Sequence, residues 1–151
     1  MMKSSVTFSI LGLLAAAMPI GVAFGGGVPL FEATGAGGLI PDEGIGVFQV
    51  SITPKVDIAT LEVVVNDLSH EFPEDLDLYL ISPFGTFIEL MTDRGGGIPI
   101  SNVDLIFRDS ASGIPGTPIG TPIVSGDYQP EGRFNGTDGG FATFSGGNSG
   151  I

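Results

Sequence analysis

The chain has 151 residues, with 25 Gly, 11 Pro, no Cys and no Trp, and a formal net charge of −12 at pH 7. That length is one domain's worth, and the absence of cysteine excludes disulfide staples. The acidity excludes nucleic acid and anionic membrane as expected partners, because both repel a surface with so few cations, and it leaves cations as the small partners such a surface invites.

In chain order, Met1, Met2 and Lys3 precede an apolar run over 6–22 that ends in Gly21-Val22-Ala23. This is the layout of a secretory signal peptide over 1–23, cut after Ala23. The expected localisation is secreted or extracytoplasmic, with no membrane association after cleavage. An uncleaved anchor over 6–24 is the alternative, since roughly 20 apolar residues span a bilayer. Pro19 and the glycines at 21 and 25–27 argue against one uninterrupted helix, and no basic cluster follows. Residues 24–38 read as a glycine-rich linker without strand or helix period. The domain proper is expected over 39–151.

From there the periodicity is that of strands, and Gly and Pro recur too often for long helices. Phe48, Val50 and Ile52 alternate with polar or outward positions and predict one half-buried strand. Leu61, Val63 and Val65 predict the inward face of the next, with Thr60, Glu62, Val64 and Asn66 outward. Leu76, Leu78 and Leu80 alternate with Asp77, Tyr79 and Ile81, and the leucine face is the expected core face because the other carries a carboxylate. Residues 87–91 are expected to return as a hairpin partner, turned by Pro83-Phe84-Gly85. Val103, Leu105 and Phe107 predict a further inward face, and 122–125 and 141–144 are short additional candidates. Short strands between Gly/Pro turns indicate an all-β, antiparallel sandwich or barrel.

The segment 69–86, SHEFPEDLDLYLISPFGT, carries a dense set of matches at His70, Pro73, Asp75, Leu76, Leu80, Ser82, Pro83, Gly85 and Thr86. It resembles the core signature of the P domain (P/Homo B domain) of subtilisin-like proprotein convertases, H-x-x-P-x-D-L-x-hydrophobic-x-L-x-S-P-x-G-T. Leu39-Ile40-Pro41-Asp42 is similar to the segment with which such domains open. Phe107-Arg108-Asp109-Ser110-Ala111, Gly126-Asp127-Tyr128-Gln129-Pro130 and Phe134-Asn135-Gly136 resemble later family segments, in the family's order. The resemblance covers roughly 39–136 and implies a jelly-roll-like β-sandwich that accompanies a protease catalytic domain. Family members continue into an N-G-x-W strand and a closing strand, whereas this chain ends in Gly146-Gly147-Asn148-Ser149-Gly150-Ile151. The last one or two strands are therefore expected to be missing, with 141–144 as a partial substitute. An incomplete sheet edge invites pairing with another chain.

Serine proteolysis needs a nucleophile, a base and an orienting acid in one geometry. The single histidine, His70, lies in the P-domain-like turn and reads as a turn residue whose ring nitrogen bonds the backbone. Ser145 and Ser149 lack a nucleophile context. The chain is thus expected to have no catalytic residues and no peptidase activity of its own.

Calcium takes several carboxylate and carbonyl oxygens, which inter-strand loops can offer. Asp75 and Asp77 share one side of a strand start, Asp67 ends the preceding strand, and Asp93 and Asp109 follow later ones. These five are the calcium-ligand candidates, and calcium association of some bacterial P domains makes it the candidate cofactor by resemblance. The bland reading is a solvated acidic rim.

The resemblance implies a noncatalytic accessory domain of a subtilisin-like serine endopeptidase system. Its partner is then a protease catalytic domain in trans, or another extracellular protein. The alternative is an exported cell-surface or extracellular binding or adhesion module without any protease.

Overall fold

In the computed structural model, residues 7–14, 30–41, 44–51, 58–82, 85, 87–118 and 120–133 are described. The fold is almost wholly β. The strands are β1 (Thr7–Leu14), β2 (Leu30–Gly35), β3 (Ile58–His70), β4 (Leu78–Ile81), β5 (Phe87–Met91), β6 (Ile100–Arg108), β7 (Gly126–Tyr128) and β8 (Gly132–Arg133), with one 3-10 turn over Pro73–Asp75. They form a five-stranded sheet in the order β2-β1-β3-β6-β7 and a three-stranded sheet in the order β4-β5-β8.

The core follows the alternation of the two long strands. Leu61, Val63, Val65 and Leu68 of β3 and Val103, Leu105 and Phe107 of β6 are buried on one face. They meet Ile88, Leu90 and Met91 of β5, together with Leu76, Ile100 and Ile123, in a single apolar cluster that joins the two sheets. Leu78 and Leu80 of β4 pack against that cluster, half buried, while Asp77 is exposed. Thr60, Glu62, Val64 and Asn66 lie outside it, as the alternation requires. The hairpin β4–β5 pairs antiparallel with Tyr79 opposite Glu89 and Ile81 opposite Phe87. Its Gly85 takes φ +80° and donates its amide to the Ser82 carbonyl, a backbone state that favours glycine.

Both long strands are bulged where they approach the sheet crossover. The β3–β6 register shifts between Val65 and Leu68 and again before His70. Asp67 and Asn102 adopt left-handed φ values of 57° and 53° there, and Asp and Asn tolerate that state better than other side chains do.

Four sequence expectations change. Residues 45–51 form no strand: Ile45 and Val47 are exposed at 89% and 76%. This segment instead lies over the end of β2, where a Cβ on Gly35 would come within 2.6 Å of the Gln49 carbonyl oxygen. Gly44 and Gly46 interrupt any ladder, and Ile52 lies outside the described residues. The expected linker 24–38 contains β2, so its C-terminal part is sheet rather than tether. Residues 122–125 carry no strand; the chain delivers Ile123 to the core and begins β7 at Gly126. Finally, β7 pairs parallel to β6, with Phe107 opposite Tyr128, so the larger sheet is mixed rather than antiparallel. The long connection after Arg108 permits that return, since parallel pairing needs a crossover.

The apolar N-terminal run supplies β1, which pairs antiparallel with both β2 and β3. Among the described residues no helix is long and apolar enough to cross a membrane. The candidate strand 141–144 and the Phe134-Asn135-Gly136 segment lie outside the described residues.

Candidate functional site

Residues 69–78 of the family-like segment form the passage from the larger sheet to the smaller one, and its Pro83, Phe84 and Thr86 lie outside the described residues. β3 ends at His70, the 3-10 turn follows over Pro73–Asp75, and β4 starts at Leu78. Proline suits the first position of such a turn because its missing N–H would have no partner there. The Asp75 amide donates to the Phe72 carbonyl at 3.0 Å, and the Leu76 amide to the Pro73 carbonyl at 3.1 Å. Pro73 and Leu76 are buried, so the turn is pinned from beneath.

His70 Nδ1 lies 3.2 Å from the Phe72 amide nitrogen and 2.9 Å from the Phe72 carbonyl oxygen. A neutral ring either accepts from the amide or donates to the carbonyl, according to tautomer. Both arrangements close the same turn, which is the structural role expected of this residue. On the adjoining strand the Asn102 amide donates to Ser69 Oγ at 2.9 Å. The motif residues therefore hold the crossover itself.

The five aspartates proposed as calcium ligands are placed separately. Asp67 sits in the β3 bulge, exposed, and its amide donates to Asp104 Oδ1 at 2.9 Å. Asp75 is in the 3-10 turn and Asp77 at the start of β4, both exposed. Asp93 takes φ 49° just after β5. Asp109 is in the turn after β6, where its carbonyl accepts from Gln129 Nε2 at 3.2 Å. Among the described residues, no group of three or more His, Asp and Glu side chains is placed to hold a metal ion. The residues as placed do not fit a calcium cage, which needs about 6–8 oxygens. Asp67 and Asp93 have a backbone reason for their identity, namely the left-handed φ that each adopts.

A feature the sequence did not disclose joins the smaller sheet to the loop after it. Arg94 Nε donates to Glu131 Oε1 and Arg94 Nη2 to Glu131 Oε2, both at 2.7 Å. The Thr92 amide also donates to Glu131 Oε1, at 3.1 Å. The Glu131 side chain is 0% exposed and that of Arg94 11%. This two-pronged, charge-assisted pair ties the end of β5 to the start of β8. In the sequence, Glu131 is one acid among seventeen Asp and Glu residues, and nothing in its spacing marks it as buried.

Beside this pair Thr92 is buried, and its Oγ1 has no hydrogen-bond partner among the described residues. A buried hydroxyl without a partner costs about 1–3 kcal/mol. Thr92→Val keeps the shape and the amide donor to Glu131 and removes the orphaned oxygen. It is expected to raise stability by about 1 kcal/mol, read as a higher urea midpoint with an unchanged slope.

On the outer side of the larger sheet, Arg108 reaches Glu62 at 3.4 Å and also pairs with Asp127. All three side chains are partly exposed, so solvent screens the pairs and each contributes less than about 1 kcal/mol. Tyr128 donates its hydroxyl to the Val124 carbonyl at 2.8 Å. Burial raises its phenol pKa, and the bond to Val124 opposes that rise only in part.

Comparison with protein-family models, with curated proteins and with solved structures finds no match for this chain. The resemblance to P domains stands on the motif segments alone.

Proposed function

We propose that the chain is a noncatalytic, exported β-domain of the P/Homo B type, jelly-roll-like in plan, that acts in trans on the catalytic domain of a subtilisin-like serine endopeptidase. The observation that supports this reading is the placement of the family-like segment. Its most distinctive residues, His70, Pro73 and Leu76, build the rigid turn that links the two sheets. Residues used this way specify a scaffold, and a scaffold of this kind serves by holding a surface against a partner. Calcium has no part in the proposal, because no group of three or more metal-holding side chains is found among the described residues.

The test is to heat a subtilisin-like catalytic domain that lacks its own P domain, with and without an excess of this chain, and follow residual peptidase activity. The expected result is a longer half-life in the presence of the chain, since a ligand that binds only the folded state stabilises it by mass action. An unchanged half-life at saturating concentration removes the protease reading.

The second reading, an extracellular binding or adhesion module, is favoured by one observation. Ile81 and Phe87 stand opposite each other on the β4–β5 hairpin and are 54% and 46% exposed. A paired apolar surface at a hairpin end suits contact with another protein. Persistence of surface binding without any effect on the protease would select this reading.

A further inference from the structure

Three loops close on one another beside the sheet crossover: the 3-10 turn over Pro73–Asp75, the loop 92–97 after β5, and the loop 113–121. Beneath, they are packed against each other without spare room. A Cβ on Gly116 would stand 2.7 Å from the Gly95 amide nitrogen, and one on Gly95 within 3.1 Å of the buried Ile123 and Pro73. The Phe72 backbone is fixed as well, since its amide and carbonyl lie against His70 Nδ1 and the carbonyl accepts from the Asp75 amide.

The outer side of this floor is open. A Cβ on Gly97 would meet only the Glu74 carboxylate, at 3.8 Å, and the Phe72 ring, at 3.9 Å. An aromatic ring and a carboxylate therefore border one notch whose base is glycine backbone. Phe72, Glu74 and Gly97 are exposed, and the exposed Ile98 and Pro99 continue the apolar side.

The charge around the notch has one sign. Glu71, Glu74 and Asp75 are exposed, and among the described residues none of their carboxylates takes part in an ion pair or a hydrogen bond. Arg94 and Arg108 are committed elsewhere, to Glu131 and to Glu62 and Asp127. In a chain of net charge −12, the complement to this surface is a cation of another molecule. A carboxylate beside an aromatic face suits a side chain with an apolar stem and a cationic head, the stem and head lying over the ring and the head pairing with the carboxylate. Arg and Lys have that form.

We propose that the notch between Phe72, Glu74 and Gly97 is a docking site for an Arg or Lys side chain on a segment of a partner protein, an apolar neighbour of that side chain resting on Ile98 and Pro99. Glu74 supplies the paired charge, and Glu71 and Asp75 steer the basic segment toward it. The packed floor holds ring and carboxylate in place before binding, so little ordering is needed on this side. The inference goes beyond the protease reading, and its test contains no protease, so either can fail without the other.

The test titrates the full nitrogen-15-labelled chain with the capped peptide Gly-Ala-Arg-Leu-Gly, and with the same peptide carrying Glu in place of Arg, while amide shifts are followed by NMR. The Arg peptide is expected to shift the amides of residues 72, 74, 97 and 98 saturably, and to bind about tenfold more tightly than the Glu peptide. Glu74→Gln is expected to weaken the Arg peptide about threefold. Gly97→Leu fills the notch without changing charge, and its backbone admits a side chain because Gly97 lies outside the left-handed region. Its β circular dichroism should match the wild type and its saturable shifts should be lost. Equal binding of the two peptides, no shift at these four residues, or shifts spread evenly over all acidic loops would overturn the proposal. Should Gly97→Leu fail to fold, unchanged affinity of the Arg peptide for Glu74→Gln overturns it by itself.

Discussion

Glu131→Ala is expected to lower the stability of the domain by about 3–5 kcal/mol, because breaking a buried, two-pronged ion pair by removing one partner is strongly destabilising. Arg94 is held to Glu131 by two bonds of 2.7 Å and is itself nearly inaccessible, so it cannot recover its hydration without opening the β5–β8 junction. The substitution also removes the acceptor of the Thr92 amide. Against a total stability that for single domains is roughly 5–15 kcal/mol, such a loss takes the chain close to its unfolding threshold. Glu131→Gln should be milder, since the amide oxygen still accepts one of these bonds. Replacing both partners, Arg94→Leu with Glu131→Met, should cost less than Glu131→Ala alone, because both desolvated charges are removed together. Urea melts of the three variants check the order. If Glu131→Ala melts with the wild type, the pair does not lock the smaller sheet.

Phe107→Ala is the second large effect, at about 3–5 kcal/mol, the range for emptying a fully buried aromatic site. Phe107 is 0% exposed and lies near the end of β6, opposite Val63 on one side and Tyr128 on the other. The lost volume therefore opens where the two longest strands and β7 meet, and all three are tied into ladders that limit collapse around the void. Phe107→Leu retains most of the apolar volume and should cost far less. Thermal midpoints of the two variants check the expectation. Similar midpoints for the Ala and Leu variants would show that the site is not packed as described.

What could be read from the sequence was what periodicity and turn chemistry encode. The alternation at Leu61, Val63 and Val65 and at Val103, Leu105 and Phe107 identified the two strands that carry the core. Pro83-Phe84-Gly85 marked the β4–β5 hairpin. The family-like segment located the crossover, and the expected backbone bond of His70 is present. The unread features depend on tertiary partners. β2 is short and flanked by glycines, so its sequence looks like tether until β1 lies beside it. Phe48 and Val50 have a strand's alternation, but their segment lies over the end of β2 without becoming a strand of the sheet. The parallel direction of β7 follows from how the long loop after Arg108 returns, which no local pattern records. The calcium candidates were read from composition and position near strand ends alone. Acidic residues near strand ends suggested convergence, while Asp67 and Asp93 occupy left-handed backbone positions and Asp75 sits in a tight turn. The buried Glu131 was invisible for a related reason, since burial of one acid among many is set by its distant arginine.

The proposed role of the chain is that of a scaffold that engages a protease catalytic domain. Calorimetric titration of the chain into a subtilisin-like catalytic domain without its own P domain measures that engagement most directly. The account predicts a saturable isotherm of one chain per catalytic domain, with the negative heat-capacity change of apolar burial when the titration is repeated across temperatures. Heats that match simple dilution at every temperature would contradict it.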